Sequence, residues 1–223
     1  MPNVAAIAPR LYVDSADLER VSRLLDAGVV HGVTTNPTIL ERGGRTAAEI
    51  PDLYARWAAE GAKEIFFQTW GTGRAELLRN AEMIRGLGDR VAVKVPATAE
   101  GFAAASALVS SGATVLVTAV YSVAQALAAA SIGAHYIAPY LGRLRDGGVD
   151  GDALIPKMQA VCAGSATNVL AASLRSPDDI TSLRLAGVPY FTAAPDVLDQ
   201  LLFHAVSDSS AAEFEAAMGR IGA

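Results

Sequence analysis

Eight times along this chain a short apolar run gives way to a stretch with helical spacing, and this alternation constrains the fold more than any other feature. The runs cover 10–14, 30–34, 64–68, 91–96, 114–119, 136–138, 168–172 and 190–193. Strands that alternate with helices are parallel, because a crossover must return the chain to start the next strand in the same direction. Helical spacing is clearest in 17–27, where Leu18, Val21, Leu24 and Leu25 share a face and Gly28 ends the turn. Similar stretches occupy 74–87, 98–110, 122–132, 153–163 and 195–203, with a helix-prone segment from Ala47 to Trp57. Ser176-Pro177-Asp178-Asp179 combines an N-cap serine, a first-position proline and first-turn acids, so a helix starts there. Thr35-Asn36-Pro37 reads as a strand stop, and 147–152 as a turn. Eight strand–helix units predict an α/β protein: one (β/α)8 TIM barrel over 1–223, with an extra C-terminal helix at 211–218.

The 223 residues carry a net charge of −5, which disfavours nucleic acid and anionic membrane as partners. The single cysteine, Cys162, cannot form an internal disulfide and suits a reducing cytoplasm. His31, His135 and His204 are far apart in the sequence, so no metal site is expected. Residues 1–9 lack a basic start and an apolar core and do not read as a signal peptide. The span 101–142 has no Asp, Glu, Lys or Arg, yet Gly112, Gly133 and Pro139 break it into pieces too short to cross a membrane.

The run V-A-V-K-V-P at 91–96 encloses one lysine among apolar residues. Burying a charged lysine is costly, so Lys94 either reaches out at a strand end or loses its proton near neutral pH. A desolvated neutral lysine attacks carbonyl carbon and forms a Schiff base; a structural lysine is the alternative. Polar residues close seven of the strands: Asp14, Asn36, Gln68, Lys94, Thr118, Tyr140 and Ser173. In a barrel these ends converge on one mouth, where the chemistry sits, and that favours the nucleophile. Asp14 is the charged candidate for proton transfer, and Gln68 and Tyr140 are candidates to hold a water. Arg143, Ser173 and Arg175 are anion ligands by type, and the helix start at Ser176 suits a phosphate. For the two arginines, surface solvation is the alternative.

The motifs L-Y-V-D-S-A (11–16), G-V-T-T-N-P-T (32–38), V-K-V-P-A-T-A-E-G (93–101), T-A-V-Y-S-V-A-Q-A (118–126), Y-I-A-P-Y-L-G-R (136–143) and A-A-S-L-R-S-P (171–177) resemble the transaldolase family, in order and over nearly the whole chain. The resemblance implies a Schiff-base lysine at Lys94, its strand-one acid at Asp14, its asparagine at Asn36 and phosphate ligands at Arg143, Ser173 and Arg175, with no cofactor. Within the small single-domain branch, four positions separate transaldolases from fructose-6-phosphate aldolase. Gln68 stands where transaldolases have glutamate and Tyr140 where they have phenylalanine. Leu116 and Ala138 stand where the larger transaldolases have asparagine and serine. At all four this chain resembles the aldolase.

The reaction so implied is reversible cleavage of fructose 6-phosphate to dihydroxyacetone and glyceraldehyde 3-phosphate, with Tyr140, Gln68 and Thr118 anchoring a water that moves protons. The alternatives are transaldolase transfer of the dihydroxyacetone unit between sugar phosphates, a non-catalytic sugar-phosphate binder, and a pyridoxal phosphate enzyme built on Lys94. The outer helices at 98–110 and 122–132 carry little charge, which predicts subunit contacts. The resemblance implies a cytoplasmic homo-oligomer, a pentamer or a decamer of two rings, in which the terminal helix reaches a neighbour.

Overall fold

Strands apolar on both faces can be covered by helices outside and by one another inside only if the sheet closes. In the computed structural model, which describes residues 7–222, eight parallel strands close into a barrel in sequence order. They are β1 (Arg10–Asp14), β2 (Gly32–Thr34), β3 (Glu64–Gln68), β4 (Val91–Pro96), β5 (Val115–Val120), β6 (Tyr136–Pro139), β7 (Asn168–Leu174) and β8 (Tyr190–Ala193). The outer ring comprises α1 (Leu18–Asp26), α2 (Pro37–Arg42), α3 (Ile50–Ala59), α4 (Arg74–Arg85), α5 (Ala99–Ser110), α6 (Val123–Ser131), α7 (Leu141–Asp146), α8 (Gly151–Val161), α9 (Pro177–Leu185) and α10 (Pro195–Leu202), followed by α11 (Ala205–Ile221). Most of the leader stretch 1–9 lies outside the described residues. Among those described, no helix is long and apolar enough to cross a membrane.

Four elements depart from the sequence reading. The Asn-Pro at 36–37 stops β2 but also starts α2, because Asn36 Oδ1 accepts the Ile39 amide at 3.0 Å and proline takes the first helical turn. Leu141–Asp146 forms the short α7, and α8 begins at Gly151 inside the expected turn, capped by Asp150. The terminal helix starts at Ala205, well before 211.

Side chains alternate inward and outward along every strand. Outward residues such as Val13, Val33, Ile65, Phe67, Val93, Val117 and Phe191 pack under the helices. Inward residues Tyr12, Phe66, Ala92, Leu116, Tyr136, Leu170 and Tyr190 fill the barrel. Their rings meet edge to face, with Tyr12–Phe66 and Phe66–Tyr136 centroids 5.5 Å apart. Below them the half-buried Glu64 carboxylate accepts the Tyr12 hydroxyl at 2.8 Å and the Tyr136 hydroxyl at 3.0 Å. One inward step above this aromatic plug lie Asp14, Gln68, Lys94, Thr118 and Thr192, so strand parity alone gathers a polar layer at the mouth.

Gly32 sits where a Cβ would run into the Glu64 carbonyl of the neighbouring strand. Gly32→Ala is expected to cost about 1–3 kcal/mol, the range for overpacking a close-packed interior. A lowered urea midpoint would report it. Activity per folded molecule should hold, because Gly32 lies at the barrel end remote from the mouth.

Candidate active site

Lys94 rises one inward step above Ala92 on β4, and only 4% of it is exposed. Its Nζ donates to the Thr35 carbonyl oxygen at 2.7 Å. A neutral amine can make that bond and keep its lone pair free for attack. Burial pushes the Lys94 pKa below the ordinary lysine value, and the Asp14 carboxylate opposes that shift through space.

Asp14 ends β1 in register with Thr34 of β2. Thr34 Oγ1 donates to Asp14 Oδ1 at 2.6 Å, and the same hydroxyl shares a 2.6 Å hydrogen bond with Thr192. Burial pushes the Asp14 carboxyl up; the Lys94 charge and the Thr34 hydroxyl resist. An acid pushed up beside an amine pushed down exchanges a proton at small cost, as imine chemistry requires.

Tyr140 follows β6, and its hydroxyl shares a 2.8 Å hydrogen bond with Thr118 Oγ1 of β5. Burial pushes its pKa up, so it remains a phenol able to donate. The Arg143 guanidinium lies over its ring, 5.1 Å from the centroid. Gln68 lies beside Lys94 in the β3–β4 register, and Leu116 beside Lys94 on the other flank.

Ser173 reaches the mouth through a break in the strand. It follows the inward Ala172, so a regular strand would turn it toward the helices. Its φ is 57°, and the β7–β8 register shifts between Ala171 and Leu174. Gly142 completes the fit: a Cβ there would press on Ser173 Oγ and Arg175 Nε at 2.8 and 2.7 Å.

A cavity of about 190 Å³ gathers Asp14, Asn36, Lys94, Tyr140, Arg143 and Ser173. Thr118 is reached through the Tyr140 hydroxyl, and Gln68, Leu116 and Ala138 do not line the cavity. Arg175 lies outside it, held by Asp146 through two hydrogen bonds of 2.8 and 2.6 Å. The helix start at Ser176 already holds an anion, because Asp179 Oδ2 accepts the Arg175 and Ser176 amides at 2.7 and 3.2 Å. Thr38, Ile39 and Arg42 of α2 also line the cavity; the sequence reading had no helix there. Thr34 and Thr192 were missed as well, although strand parity points both inward. Among the described residues no group of three His, Cys, Asp or Glu side chains is placed to hold a metal ion.

A family model described as Transaldolase/Fructose-6-phosphate aldolase matches residues 11–221. The chain belongs to this family. A probable transaldolase of a Chelativorans species is 33% identical over 215 residues, covering 96% of this chain and 98% of the relative. One of Hyphomonas neptunium is 35% identical over 223 residues, with 96% and 98% covered. Among solved structures, thiamine phosphate pyrophosphorylase from Pyrococcus furiosus matches with a TM-score of 0.62 at 16% identity, over 86% of this chain and 93% of that one. A mandelate oxidase variant matches with a TM-score of 0.59 at 16% identity, over 85% of this chain and 64% of that one. At such identity these two show the barrel and nothing of the chemistry. The family match thus meets a mouth in which the lysine, the acid and the tyrosine are already assembled.

Asp14 holds the Lys94 pKa up against burial. In Asp14→Asn the Lys94 amine should therefore titrate at lower pH than in the wild type. The pH dependence of Lys94 labelling by an amine-acylating reagent, read by peptide mass spectrometry, checks the direction. A midpoint moved upward would contradict it.

Proposed function

We propose that the chain is a Schiff-base aldolase that cleaves fructose 6-phosphate to dihydroxyacetone and glyceraldehyde 3-phosphate. The hydroxyl of Tyr140, a residue that lines one cavity with Lys94, is hydrogen-bonded to Thr118 and is the observation that carries this reading. Neutral Lys94 attacks the ketose carbonyl carbon, and loss of water leaves a protonated imine. A base removes the C4 hydroxyl proton, the C3–C4 bond breaks, and its electron pair flows into the imine to give an enamine and the free aldehyde. Asp14 is the group suited to that proton. Protonation of the enamine carbon and hydrolysis of the imine release dihydroxyacetone. Tyr140, Thr118 and Gln68 would hold the water that carries these protons. Arg143 and Ser173 face the cavity where the phosphate would lie; Arg175 would join them only by releasing Asp146. Leu116 and Ala138 would shape the floor beneath.

A second reading has support in the names of the curated relatives. If the enamine persists until an acceptor aldose arrives, the same site transfers the three-carbon unit as a transaldolase. Fructose 6-phosphate alone, compared with fructose 6-phosphate plus erythrose 4-phosphate, separates the two. Free dihydroxyacetone should appear without an acceptor, and Lys94→Arg should abolish its release. Tyr140→Phe should slow release by about 10²–10⁴-fold, the range for lost general acid–base assistance. Turnover that requires the acceptor would replace the aldolase with the transaldolase.

We further infer a cytoplasmic homo-oligomer, a pentamer or a decamer. No residue of α11 is buried; it exposes Val206, Phe214 (68%) and Ile221 (77%), and Phe203 just before it is exposed as well. Light scattering should give a mass several times 23.1 kDa at micromolar concentration. Truncation after His204 should lower that mass, and a full-length chain that runs as a monomer would contradict the assembly.

A further inference from the structure

A second guanidinium borders the cavity opposite Arg143. α2 follows β2 and α7 follows β6, four strands apart in a ring of eight, so Arg42 and Arg143 approach the mouth from opposite sides. Both line the same small cavity. Among the described residues neither takes part in an ion pair. Their neighbours do: Arg45 pairs with Glu49 at 3.2 Å, Arg145 with Asp152 and Asp179 at 2.7 Å, and Arg175 with Asp146 at 2.6 Å.

The other charged groups of the lining, Asp14 and Lys94, cancel whether both are ionised or both are neutral. The cavity is thus left with two uncompensated positive charges. A phosphate monoester carries about −1.5 to −2 near pH 7, and its three outer oxygens can take more than one guanidinium. A neutral sugar would leave both charges unanswered.

We propose that Arg42 is a substrate-binding residue that closes from α2 onto the phosphate of the sugar phosphate, while Arg143 and Ser173 hold the group from the other side. This rests on the sugar-phosphate reading above and adds to it the residue that sets preference for phosphorylated over unphosphorylated substrates. Being the exposed last residue of a short helix, Arg42 can swing onto the ligand without disturbing the barrel.

The full-length chain and its Arg42→Gln, Arg42→Lys and Arg45→Gln variants would be titrated with inorganic phosphate by calorimetry. Each would also be assayed with fructose 6-phosphate, and for joining dihydroxyacetone to unphosphorylated glyceraldehyde. Arg42→Gln should weaken phosphate binding and raise KM for fructose 6-phosphate by about 10–100-fold, the range for a lost charge-assisted hydrogen bond, with little change in kcat. It should leave the reaction with glyceraldehyde unchanged. Arg42→Lys should recover part of the loss, and Arg45→Gln should behave as wild type because Arg45 faces Glu49. The phosphate titration does not depend on turnover, so a chain that binds phosphate through Arg42 but fails to cleave would overturn the reaction and leave this proposal standing. Equal phosphate binding by wild type and Arg42→Gln, or none by wild type, would overturn the proposal itself.

Discussion

Burial of the Lys94 side chain in a closed parallel barrel is the condition the rest of the mouth depends on, because an exposed lysine keeps its proton at neutral pH. With an ordinary pKa, about one amine in 2,500 is free at pH 7, and each unit of lowering raises that fraction about tenfold. The barrel supplies the lowering through packing. The aromatic plug of Tyr12, Phe66, Tyr136 and Tyr190 packs beneath the lysine, and Leu116 of β5 closes one flank. Asp14 then limits the shift, so that the amine can be reprotonated within one catalytic cycle.

The mouth also uses backbone that the barrel does not favour. Ala119 and Ser173 both have left-handed φ values, 59° and 57°, at the ends of β5 and β7 where the register slips. Such conformations cost about 1–3 kcal/mol each for residues other than glycine. At Ser173 the cost has a visible return, because the bend turns the hydroxyl from the helix layer toward the cavity. At Ala119 the bend follows Thr118, whose hydroxyl meets Tyr140. Left-handed backbone and candidate site residues coincide at both strand ends.

The barrel was legible because period-two and period-3.6 patterns alternate so regularly, and Lys94 and Asp14 were legible because each is a charged residue closing an apolar strand. What escaped was the structure at the strand ends. The signals at Asn36-Pro37 fit a strand stop and a helix start alike, so α2 was missed and Arg42 with it. Ser173 was found by residue type, but its bend depends on contact with Gly142, across a tertiary junction no local pattern encodes. Arg175 looks like an anion ligand in sequence, and only the fold shows Asp146 already upon it. Thr34 and Thr192 are ordinary strand threonines until ring closure brings β8 beside β1.

In the proposed reaction Lys94, made neutral by burial, is the amine that bonds to the substrate carbonyl. Reduction with borohydride in the presence of dihydroxyacetone, followed by peptide mapping, tests it most directly. A three-carbon adduct should form on Lys94 alone, with none in Lys94→Arg, since arginine keeps the charge but cannot form the imine. An adduct on Lys63 or Lys157, or an unlabelled wild-type chain, would contradict it.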